Sequence, residues 1–158
     1  MKKLNILVLA GLLAISGTVC ASPSIKPDKL FNDYGRYAVI CMDSGQRVYI
    51  DTNTLLRDPA PAGSLPVLRG TAYTEVYESL DFPAYGNNKM IKMIVESEIA
   101  VGADVYGSDV KYSMLTQNKG AYDAGGTPVP PDGEAINDTP DTAKEIYINM
   151  YRLAKSLT

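Results

Sequence analysis

The last twenty-one residues, "DTPDTAKEIYINMYRLAKSLT", carry the clearest helical pattern in this chain. Thr139 stands as an N-cap before Pro140, whose missing N–H costs nothing at the first helical position. Asp141 then complements the positive helix end. Ala143, Ile146, Met150, Leu153 and Leu157 recur at helical spacing, and Tyr147, Tyr151 and Ala154 widen the stripe. A helix with one apolar stripe needs a surface to lie on.

The residues upstream supply that surface as strands. "RYAVICM" (36–42) alternates, with Tyr37, Val39 and Cys41 on one side and Ala38, Ile40 and Met42 on the other. Asp43 to Gln46 is turn chemistry, and "RVYID" (47–51) answers as the second strand of a hairpin. Thr52 or Asn53 then caps a single helical turn, and the prolines that follow enforce a loop. In "VLRGTAYTEVYESL" (67–80), Thr71, Tyr73, Glu75 and Tyr77 share one face; Leu68, Ala72 and Val76 share the other, the core face. Residues 90–115 read as two strands. Ile91, Met93, Val95 and Ile99 lie opposite Lys92, Glu96 and Glu98, a turn falls within 100–108, and Val110, Tyr112 and Met114 alternate with Lys111 and Ser113. Residues 116–138, rich in Gly, Pro and Asp, read as loop apart from a short strand near 121–124. The expected fold is α+β: a small antiparallel sheet of about five to six strands with the C-terminal helix packed on one face.

The N-terminus reads as an export signal. Met1-Lys2-Lys3 is a basic start, and Leu4 to Ile15 is apolar except for Asn5. That run falls short of the roughly 20 apolar residues that span a bilayer. Cys20 raises the alternative of a lipid anchor, but Val19 is bulky for the small-residue position that lipoprotein processing requires. Val19-Cys20-Ala21 fits cleavage before Ser22 better. The expected organisation is a signal peptide at 1–21, a linker at 22–35 and a single domain at 36–158. Cleavage removes two lysines and no acid, so the net charge moves from −3 to −5. Such a surface argues against nucleic acid and against docking on anionic lipid. The mature chain would carry no transmembrane helix.

Chemistry is sparse. The chain has no histidine, which removes the commonest general base and zinc ligand. Cys41, the one cysteine left after cleavage, sits among apolar neighbours and reads as a small core hydrophobe, the alternative being an intermolecular disulfide. Glu96 and Glu98 stand two apart on one strand face; as a wet pair neither pKa rises enough for acid–base work. Asp132, Glu134, Asn137 and Asp138 offer oxygens to calcium, but the spacing is not that of an EF-hand and Asp138 is explained by the helix start. Gly125–Gly133 lacks the ending of a phosphate loop. The expectation is no cofactor and no metal.

Tyrosine is what remains: 11, against two phenylalanines and no tryptophan. Tyr73 and Tyr77 on one strand face, with Tyr85 and Tyr106 near loops, either form an amphipathic contact surface or lie beneath helix and loops.

Three stretches, "VYIDTNTLL" (48–56), residues 89–115 and "INDTPDTAKEIYINMY" (136–151), resemble the Surface-adhesin protein E family of exported bacterial proteins. The resemblance covers most of 37–155. It implies a small antiparallel sheet under a C-terminal helix and, in some members, binding of host matrix or plasma proteins. Members often tie the central hairpin to the helix by a disulfide; here 100–103 and Ile148 hold no cysteine. Matrix binding in such adhesins leans on basic hairpin residues, whereas here Lys89 and Lys92 are followed by Glu96 and Glu98.

The functional expectation is an exported (periplasmic, cell-surface or secreted), non-enzymatic binding module for a protein or matrix macromolecule. Its surface is the central hairpin with Tyr73, Tyr77, Lys89 and Lys92. The alternative is an envelope structural or accessory protein without a host ligand. An enzyme would have to work with carboxylates alone. Exposed strand edges allow a homodimer.

Overall fold

The computed structural model describes residues 30, 32–43, 45–60, 64–77, 91–130, 136 and 138–157. The signal segment with Cys20, the linker up to residue 29, Tyr85, Lys89, Asp132, Glu134 and Asn137 lie outside the described residues.

The fold is α+β. The strands are β1 (Tyr37–Met42), β2 (Gln46–Asp51), β3 (Leu56–Arg57), β4 (Leu68–Tyr77), β5 (Ile91–Tyr106), β6 (Asp109–Tyr122) and β7 (Pro128–Val129). One helix follows, α1 (Pro140–Ser156). Every strand pair is antiparallel, in the order β1-β2-β4-β5-β6-β7, and β3 extends β4 beside β2. The sheet curls around α1. Ile40, Val48, Ile50, Val95, Ile99, Val101 and Met114 meet Ala143, Ile146, Tyr147, Met150 and Ala154 of the helix. Burial of these apolar side chains is the main stabilising term.

The helix begins as its sequence dictates. Thr139 Oγ1 accepts the N–H of Thr142 at 3.1 Å, with Pro140 following and Asp141 in the first turn. Leu157, expected on the stripe, is exposed because the helix ends one residue earlier. The sheet end is tied by Tyr147, whose hydroxyl donates to the carbonyl of Pro66 at 3.0 Å. Tyr112 and Tyr151 pack on the Tyr147 ring, at 5.5 and 6.1 Å between centroids. The helix is thus docked without a disulfide.

Bulges correct the simple alternation. The β1–β2 register passes from Val39↔Tyr49 to Cys41↔Val48, which takes one extra residue into β1. Cys41 therefore joins the helix side with Val48 and Ile50, and does not share the face of Tyr37 and Val39 as strict alternation requires. A second irregularity, between Glu96 and Ser97, leaves Lys119 as the extra residue in β6. The expected loop at 116–138 is also corrected: β6 stays paired to β5 through Tyr122, because the ladder supplies partners that local propensity does not suggest. The single turn after β2 is a 3-10 turn, Thr52–Thr54, capped by the Asp51 carboxylate.

Candidate functional site

The sheet face turned away from α1 would ordinarily meet water. Here it is a second core. Leu30, Tyr37, Tyr49, Tyr73 and Ile94 form a buried cluster, and Leu30 is 0% exposed although it falls in the stretch read as a linker. The tyrosines arrive by the period of two: Tyr49 pairs across to Tyr73, and Tyr73 to Glu96. The rings of Tyr37 and Tyr73 meet edge to face at 5.7 Å.

Carboxylates are folded into this face with their donors. Glu75 Oε2 accepts the hydroxyls of Tyr77 at 2.7 Å and Tyr49 at 3.2 Å, and Arg47 donates to the Tyr49 hydroxyl at 3.4 Å. Tyr122 donates to Glu96 Oε2 at 3.3 Å. At the rim, Arg36 grips Asp51 through Nε and Nη2, the shortest contact being 2.8 Å. Burial pushes the Tyr49 phenol up to about 12, with Arg47 opposing and Glu75 adding to the rise. Tyr73 and Tyr77 are raised further, first by burial, then by Glu96 for Tyr73 and by the hydrogen bond to Glu75 for Tyr77. The face is therefore a closed array of neutral phenols holding carboxylates.

The expected contact residues are consequently divided. Tyr73 is buried, Tyr77 is half-buried, Lys92 is exposed, and Lys89 lies outside the described residues. The pair expected on a wet strand face also divides: Glu96 is buried on Tyr122, while Glu98 stays near water and pairs with Lys119 at 3.1 Å. The cover over this face explains the difference, and a strand pattern does not show what covers it. Cys41 is buried and unpaired, and its thiol donates to Glu145 Oε2 at 3.6 Å. Burial and that carboxylate push the thiol up to about 12. Of the loop acids, Asp138 is exposed at the helix start. Among the described residues no three acids, cysteines or histidines converge as metal ligands, and no helix is long and apolar enough to cross a membrane.

The exposed apolar surface lies elsewhere. β4 leaves β5 at Leu68↔Val101, while β5 and β6 continue as a ribbon from Gly102↔Ser113 to Tyr106↔Asp109. Those five residues of β5 carry the ribbon about 15 Å beyond the sheet. It closes at Gly107-Ser108, where Gly107 takes φ +64°. Val105 and Val110 face each other on the helix side at 48% and 40% exposure; Tyr106, 58% exposed, lies on the other side. Lys111 Nζ sits 5.4 Å from the centre of the Tyr106 ring, with Asp104 directly across from Lys111. Tyr106 was legible in the sequence as a residue near a loop; Val105 and Val110 were missed. Their signal is an apolar residue on each side of a Gly-Ser turn, beyond the last residue the core can cover.

Compared with protein-family models, with curated proteins and with solved structures, the chain matches none.

Proposed function

We propose that this chain is an exported, non-enzymatic module that binds another macromolecule, a protein or matrix component, through the tip of the β5–β6 hairpin. One observation carries the reading: the apolar helix-side face of the ribbon runs on past the core, so that Val105 and Val110 stand in water, with Tyr106 exposed on the opposite face. The tip thus offers two valines on one face and, on the other, Tyr106 among Asp104, Asp109 and Lys111, and this mix of apolar, aromatic and charged groups has the make-up of a protein contact. The groups that could do chemistry are otherwise occupied, since Glu75 and Glu96 accept phenol hydroxyls under cover and Cys41 holds its proton.

The test is a Val105→Ser/Tyr106→Ser/Val110→Ser chain, verified as folded by circular dichroism. It is compared with wild type for binding to immobilised matrix and plasma proteins and to cell-envelope fractions. Loss of about tenfold or more in affinity is expected, since interface aromatic anchors typically account for more than 1 kcal/mol. Equal binding by both chains would overturn the assignment of the tip. Wild-type chain that binds none of these surfaces would favour an envelope structural or accessory role.

A further inference from the structure

The two long edges of the sheet are finished differently. On β1, Asn149 of α1 donates to the Ile40 carbonyl at 2.9 Å, so the helix already occupies a backbone acceptor of that strand. On the far side, β7 is the strand that pairs with β6 among the described residues, and it reaches Ala121 and Tyr122 alone. Residues 109–120 of β6 therefore present an outer row of backbone donors and acceptors with no strand beside them among the described residues. The sequence there, "DVKYSMLTQNKG", has no proline to interrupt a ladder.

We propose that this edge pairs with the same edge of a second copy, antiparallel and centred on Met114, to give a dimer with one continuous sheet. The commitment to a second copy rests on charge. About a two-fold axis perpendicular to the sheet at Met114, Asp109 of one copy stands opposite Lys119 of the other, twice. Lys111 meets Gln117, Tyr112 meets Thr116, and Ser113 meets Leu115. Centring on Leu115 sets Lys111 against Lys119, and centring on Ser113 leaves all six charges of the two segments without an opposite partner. Opposite charges directly across a ladder stabilise it, and like charges oppose it. The side chains of Asp109, Lys111 and Lys119 all lie on the face turned away from α1, where Lys119 already pairs with Glu98. The incoming Asp109 completes an arrangement whose first half is present. This inference does not depend on the hairpin tip acting as the binding surface.

The test is sedimentation equilibrium of the wild-type chain across a wide concentration range, with Asp109→Lys, Lys119→Asp and the double swap. Wild type is expected to sediment as a monomer–dimer equilibrium. Each single swap should weaken association by about tenfold, as two cross-strand pairs turn from attraction to repulsion. The double swap restores opposite charges between the copies and should associate more tightly than either single swap, though below wild type because residue 119 then faces Glu98 as a like charge. Asp109 is exposed beside the turn, so Asp109→Lys leaves the monomer folded, as circular dichroism will check. A wild-type chain that stays monomeric throughout overturns the proposal, as does a dimer that Asp109→Lys leaves unchanged or a double swap that associates no better than the single swaps.

Discussion

Leu30 is the residue on which the second core can be tested most directly. A leucine in a linker contributes nothing to stability. A leucine at 0% exposure among Tyr37, Tyr49, Tyr73 and Ile94 contributes as a core residue. Truncation to alanine removes three carbons from contact with those rings and leaves a void beside a face already held by its own hydrogen bonds. The Tyr49–Glu75–Tyr77 chain resists collapse into that void, so the cost should sit near the middle of the measured range for such truncations, about 3 kcal/mol. For a domain of this size that corresponds to a fall in Tm of about 10 °C. With no tryptophan in the chain, intrinsic fluorescence reports tyrosine alone, and three of the rings touching this void are tyrosines. Thermal and urea unfolding should therefore be followed by tyrosine emission and far-ultraviolet circular dichroism together. The control is Tyr34→Ala, four residues on and 67% exposed, which should stay within about 0.5 kcal/mol of wild type. A Leu30→Ala chain that melts within a degree or two of wild type would refute the reasoning and return residues 22–35 to a linker.

Two further outcomes follow from the buried titratable groups. The native chain should resist alkylation of Cys41 by iodoacetamide near pH 8 and react fully once unfolded in urea, because burial and Glu145 keep the thiol protonated in the fold; rapid native labelling would contradict its placement against α1. The phenols of Tyr37, Tyr49, Tyr73, Tyr77 and Tyr147 are all raised in the folded state, chiefly by burial. The unfolded chain sheds those protons near the ordinary phenol value and the folded chain holds them, so stability is retained below about pH 10 and falls as pH rises beyond it. Absorbance at 295 nm should show an exposed group of tyrosines titrating first and the rest appearing with cooperative unfolding; a single smooth titration of all of them would refute the closed tyrosine face.

The sequence was most readable where one physical cause acts alone. The entry of α1 is local chemistry, Thr139 then Pro140 then Asp141, and it stands as read. The β1–β2 hairpin and the two faces of β4 follow from alternation and turn residues, and they too stand. Alternation fails where a ladder takes in an extra residue, as at Val39/Cys41 and at Lys119, because a bulge is fixed by both strands and neither strand alone announces it. It also says that Tyr73 and Glu75 share a face without saying whether that face is wet. The deciding residue, Leu30, lies in a polar stretch beside Pro27 and Asp28, where one buried leucine leaves no periodic trace. The run of β6 from Thr116 to Tyr122 was hidden for the opposite reason: Gln117, Asn118, Lys119 and Gly120 are poor strand formers held in place by β5.

The position of α1 after the strands it packs on also sets an order in time. The thiol of Cys41 and the carbonyl of Ile40 meet Glu145 and Asn149 across more than a hundred residues of sequence. The hairpin of β5 and β6 can zip on its own from a two-residue turn, but the sheet face that packs on α1 waits for a helix that follows it in the chain. Contacts that far apart in sequence are slow to form, because the entropy of closing the loop is lost before the contact repays it. A chain emerging from its N-terminus thus keeps an open, unfinished sheet until α1 has followed its strands out.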